Sequence, residues 1–181
     1  AALVDYNCAT VQTVYNLYEQ HPGRELCELA DSLGHGGIIA RVPTNSGILD
    51  EEFESPDHVF PKHDHRKFRD RNWLVYGLKK NEIVKPMAER CDCSLRQLAF
   101  RWLMSQPAMV SVEPNILSET DIDDFAAASD MGPLPADVLD ELALLYEKDF
   151  DLGESAHACA LKSSVAQDGV ERSGYVSLLA R

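Results

Sequence analysis

Three short runs of β-branched and apolar residues, separated by stretches with helical spacing, restrict this chain to a parallel sheet covered by helices. The first run is Thr10 to Asn16, where Val11, Thr13 and Tyr15 alternate with Gln12, Val14 and Asn16 as on a strand. After Pro22-Gly23 comes Arg24 to Leu33, with Leu26, Leu29, Ala30 and Leu33 on one helical face and Gly34 placed to stop it. Ile38 to Val42 is a second strand, short, apolar and ended by Pro43, as suits a buried parallel position. Residues 43 to 65 hold prolines, acids and few apolar side chains, so they read as a long functional loop beyond that strand.

Leu74, Leu78, Ile83 and Met87 predict a helix or helix pair from about Asn72 to Arg90, bent or interrupted at Pro86. Ser94 with Gln97 three residues later forms a capping-box pattern ahead of Leu98, Ala99, Trp102 and Leu103. Met109 to Val112 reads as the third strand, ended by Pro114. Ser118 and Asp121 are placed to cap a helix through Ala127, and Pro135 to begin another through Tyr146. Beyond Asp149 the periodicity fades. The expected division is a structured unit over 1–148 and a C-terminal tail over 149–181.

Composition narrows the function. A formal charge of -13 argues against nucleic acid and against an anionic membrane surface, because both attract basic patches. Apolar runs fall far short of the roughly 20 residues that cross a bilayer, and no secretory signal opens the chain. The expected location is cytoplasmic, with the five scattered cysteines reduced.

The strings VQTVYNLYEQ, ELADSLGHGGIIARVPTNSGIL and SLRQLAFRWLMSQPAMVSVEPNILSETDIDDF resemble, in order and spacing, the C-terminal half of the aldo-keto reductase family. The resemblance runs from residue 10 to about 147. It implies the sixth, seventh and eighth strands of a (β/α)₈ TIM barrel, so the fold class is α/β, a partial barrel of about three parallel strands with flanking helices. It also implies a nicotinamide cofactor, NADPH or NADH, and a small-molecule aldehyde or ketone substrate for the parent protein.

Residue by residue, Gln12 matches the strand glutamine whose amide meets the nicotinamide carboxamide, a group that needs both a donor and an acceptor. Arg41 stands where many members place an aromatic ring against the nicotinamide, and a guanidinium plane can stack there too. Val42, Pro43, Thr44, Ser46 and Gly47 match the loop around the pyrophosphate, where small residues let the backbone approach closely. Ser118 caps the helix after the last strand, whose N-terminus attracts an anion. Where NADPH-binding members have a small or basic residue, an arginine and an asparagine, this chain has Leu117, Asp121 and Phe125.

The family's tyrosine, lysine, aspartate and histidine belong to the other half of the barrel. None of their motifs occurs here, and Tyr6, Tyr15, Tyr18, Tyr76 and Tyr146 lie in unrelated strings. No catalytic residue is therefore assigned. Three strands cannot close a barrel of eight, and the chain opens on Ala1 rather than methionine. The expectation is a fragment or half-barrel, completed by a second chain or by self-association, with a non-catalytic binding or assembly module as the alternative. His58, His63, Asp64 and His65 do not have the spacing of a closed metal site, and with Arg66 to Arg71 they read as a mixed-charge loop. Cys91-Asp92-Cys93 reads as a turn between helices, and Trp73 and Trp102 as core residues.

Overall fold

A computed structural model describes residues 1–153. The expectations for the tail beyond residue 153 fall outside the described residues. The strands are β1 (Thr10–Val14), β2 (Gly37–Arg41) and β3 (Met109–Glu113), in the order β1-β2-β3 and parallel throughout. Gln12 pairs with Ile39 and Val14 with Arg41, while Arg41 pairs with Glu113 on the other side. Paired residues in parallel strands project to the same face. One face therefore carries Gln12, Val14, Ile39, Arg41, Ser111 and Glu113. On the opposite face Ile38 and Ala40 are fully buried under the helices.

Helix α1 (Gly23–Leu33) follows β1 and ends where Gly34 enters the left-handed region at φ 65°, its N–H returning to the Asp31 carbonyl. Gly23 lies directly under the Tyr15 ring, so a Cβ there would collide with it. The packed end of β1 thus explains the glycine that opens α1.

Helix α2 (Arg71–Arg90) runs unbroken through Pro86, contrary to the expected bend or interruption. Proline removes one intrahelical donor, the one that would have bonded to Glu82 four residues earlier. Both Pro86 and Glu82 are exposed, so that carbonyl is open to water, while Val84, Met87 and Ala88 fix the buried face. Cys91 to Cys93 make the turn into α3 (Leu95–Met104), which carries the complete Ser94/Gln97 capping box.

Helix α3 is the centre of the core. Leu98, Ala99 and Leu103 are fully buried, and Trp102 meets the Tyr15 ring edge-on at 5.3 Å. Burying side chains of this size contributes about 1.5–3 kcal/mol each. Helices α4 (Glu119–Asp130) and α5 (Ala136–Glu147) complete the layer. The packed chain continues past residue 148, because Phe150 is buried and sits edge-on to Tyr18 at 5.4 Å.

The loop after β2 is better anchored than its composition implied. Ile48, Leu49 and Phe53 are buried, and Ile48 fits over Gly77, where a Cβ would stand 2.8 Å from the Ile48 Cδ1. Residues 43 to 65 therefore have their own apolar footing on α2.

Candidate functional site

An open cleft of about 770 Å³ lies beyond the C-terminal ends of β2 and β3. Arg41, Val42, Pro43, Thr44, Ser46 and Gly47 all line it. Six of the eight residues singled out from sequence are thus brought to one place. Gln12 and Ser118 are not among the lining residues, although Leu117 and Asp121, on either side of Ser118, are. The Gln12 amide donates instead to the Glu113 carboxylate across the sheet face, and Glu113 itself borders the cleft.

The loop backbone is unusual. Val42, Asn45 and Ser46 have φ of 58°, 53° and 55°, and Gly47 has φ 101°. For a β-branched residue such as Val42 this region is strongly disfavoured, so surrounding contacts must hold the turn. Asn16, at the end of β1, supplies them. Its side-chain amide donates to the Val42 carbonyl at 3.1 Å, and its oxygen accepts from the Asn45 amide at 3.0 Å. The Asn45 oxygen in turn accepts from the Trp73 indole N–H. This buried chain fixes the loop to both β1 and α2. A Cβ on Gly47 would run into the Glu52 carboxylate and stand 3.0 Å from Arg66 Nη1.

Two arginines dominate the cleft's electrostatics: Arg66, which the sequence placed in a mixed-charge loop, and Arg96, which it did not single out. Arg66 donates to Glu52 at 2.6 and 2.8 Å, to Asp64 at 2.8 Å and to the Ser46 carbonyl at 3.1 Å. Arg96, near the start of α3, donates to Asp50 at 2.7 Å, Asp121 at 2.8 Å and Asp124 at 3.4 Å. Hydrogen bonds from Arg66 hold the Asp64 carboxyl down at about 2. Those from the Leu117 N–H, Ser118 and Arg96 do the same for Asp121. Burial pushes the Asp50 carboxyl above its ordinary range, against the pull of Thr44 and Arg96.

Tyr15 and Tyr18 are buried, and burial pushes both phenols well up. Tyr18 donates to Asn81 at 2.9 Å, and Lys80 lies 5.5 Å from its ring centroid. His63 and His65 reach the cleft's border, but the Asp64 between them is clasped by Arg66. Among the described residues no group of three or more His, Cys, Asp or Glu is placed to hold a metal ion. No described helix is long and apolar enough to cross a membrane.

Residues 4–147 match the Aldo/keto reductase family. The chain belongs to that family. Two curated relatives of this aldo/keto reductase chain are each a probable voltage-gated potassium channel subunit beta. The one from Oryza sativa subsp. japonica is 28% identical over 142 residues, or 75% of this chain and 43% of the relative. The one from Arabidopsis thaliana is 28% identical over 128 residues, or 68% and 39%. The chain therefore spans about two fifths of the length of the curated relatives it matches. Among solved structures, an aldo-keto reductase from Bacillus halodurans superimposes with a TM-score of 0.56 at 16% identity, covering 80% of this chain and 45% of that one. One from Klebsiella pneumoniae, in complex with NADP and acetate, gives 0.51 at 21% identity, covering 77% and 40%. At these identities the likeness shows the fold, a portion of the family's TIM barrel. In such barrels function collects at the C-terminal ends of the strands, which is where this cleft lies.

Proposed function

We propose that the cleft is the nicotinamide-dinucleotide side of an NAD(P)H-dependent oxidoreductase acting on aldehydes or ketones, and that the residues performing the chemistry lie outside this chain. The observation that carries this reading is the convergence of Arg41 and the Val42 to Gly47 turn on one cleft beyond β2. The volume suits an extended ligand. The turn is also locally specific: Gly47, at φ 101°, holds a backbone conformation that a side chain would strain, so the loop keeps the shape that lines the cleft. The exposed Arg41 guanidinium at the mouth can stack on a planar ring or meet a phosphate. Ser118, capping α4 beside Leu117 and Asp121, would lie at the far border.

When bound, the dinucleotide supplies or accepts the hydride. The residues here hold and orient it. Gln12 must exchange its bond to Glu113 for one to the nicotinamide amide if it is to serve as the resemblance implies. Fluorescence titration of the purified chain with NADH and NADPH tests the reading. Saturable binding of at least one, weakened by Gly47→Ala, is expected, with no aldehyde reduction by the chain alone. Absence of binding by both refutes the assignment.

A second reading is a non-catalytic binding or assembly module that keeps the half-barrel. It is supported by the outer edges of β1 and β3, which pair with no other described strand, and by the two curated relatives named as channel subunits. A second chain or another copy would complete the barrel. Self-association in sedimentation velocity, with no cofactor binding, would favour it over the first.

A further inference from the structure

The charges in the cleft are not balanced for a phosphate-rich ligand. Arg66 is surrounded by Glu52 and Asp64, Arg96 by Asp50 and Asp121, and Glu113 adds another carboxylate. Counting these, five carboxylates face three guanidiniums, and no lysine lines the cleft. Arg41 alone of the three arginines has no carboxylate partner among the described residues. One open cation can answer a pyrophosphate, aided by backbone N–H groups and a helix N-terminus. A further phosphate monoester brings about −1.5 to −2 more charge and would have to take Arg66 or Arg96 from its present partners.

Resting on the dinucleotide reading above, we infer that this cleft discriminates against a 2′-phosphate and selects NADH over NADPH, with Asp50 and Asp121 determining the choice through their hold on Arg96. The geometry makes the hold tight. Asp121 is fixed from two directions, accepting from the Leu117 and Ser118 N–H groups at 2.9 and 3.0 Å while contacting Arg96 at 2.8 Å. Asp50 accepts from Arg96 Nε at 2.7 Å. Arg96 also lies against the Phe125 ring, 5.1 Å from its centroid, which limits its swing. Its guanidinium cannot turn to a phosphate without abandoning carboxylates that have no other arginine.

The test is the ratio of dissociation constants for NADH and NADPH in the full chain, measured by fluorescence at low salt. NADH is expected to bind at least about tenfold tighter. In Asp50→Asn/Asp121→Asn the ratio should fall to near one or reverse, because Arg96 then has donors to spare. Asparagine keeps an oxygen for the Ser118 N–H, so the α4 cap is retained. Should that variant fold poorly by circular dichroism, the single variants Asp50→Asn and Asp121→Asn each remove one of the charges on Arg96 and should move the ratio in the same direction. Equal binding in the parent chain, or a ratio unmoved by a folded variant, overturns the selectivity while leaving the cofactor site standing. Failure of both cofactors to bind overturns the site, and the selectivity with it.

Discussion

Asn16 has all its side-chain capacity used: its oxygen accepts from Tyr18, Glu19 and Asn45, and its amide donates to Glu19 and Val42. Removing it strands several buried partners, each costing about 1–3 kcal/mol when unsatisfied. Asn16→Ala should therefore lower stability by about 2–4 kcal/mol in urea melts and weaken cofactor binding, since Val42 and Asn45 lose what fixes the turn. A melt unchanged within 0.5 kcal/mol would show that the left-handed turn holds itself. Acid titration probes the same scale. Asp64 and Asp121 have folded pKa values near 2, below the unfolded value near 4. Their contribution is complete above about pH 4 and is lost as pH falls toward 2, with stability declining in that window. Asp64→Asn should flatten the decline in thermal melts between pH 4 and 2. The cleft's loop residues were legible in the sequence because they form one contiguous string. Asn16, Arg66 and Arg96 were not, because their partners lie up to 29, 20 and 46 positions away and only the fold brings them together.

Elements follow local rules more closely than sites do. The Ser94/Gln97 box, the Gly34 stop and the Ser118 cap stand where the sequence places them. Pro86 is the exception, because the rule that proline interrupts a helix weighs the lost donor and ring clash against nothing else, whereas α2 also buries Val84, Met87 and Ala88. The cost is still present in the folded state. Pro86→Ala should stabilise the chain by about 1–2 kcal/mol, the helix gain of roughly 3 reduced by the greater freedom alanine gives the unfolded chain. Chemical denaturation would reveal it, and a destabilised variant would mean that the ring packs usefully where the structure shows it exposed. The loop over residues 43 to 65 shows the reverse failure. Its few apolar residues suggested a loose excursion, yet Ile48, Leu49 and Phe53 were enough because α2 offers them a seat at Gly77.

At the scale of the molecule, the three strands among the described residues make a sheet whose middle member is protected on both sides and whose outer members are each paired there on one. The strand alternation and the family resemblance made this architecture legible, whereas nothing in the sequence shows what adjoins the outer edges. In a parallel strand successive N–H groups point to opposite neighbours, so every second amide of β1 and β3 faces away from the sheet. Native-state hydrogen exchange should reflect this. Amides of Ile38 to Arg41 in β2 are expected to exchange at the rate of global unfolding, since β2 is paired on both sides and Ile38 and Ala40 are buried. Half the amides of β1 and β3 should exchange orders of magnitude faster in an isolated chain. If those outward amides are instead as slow as β2, another polypeptide or another copy is paired along the edges under the conditions measured. Repeating the exchange across a dilution series separates the cases: edge protection from association fades with concentration, whereas the protection of β2 does not.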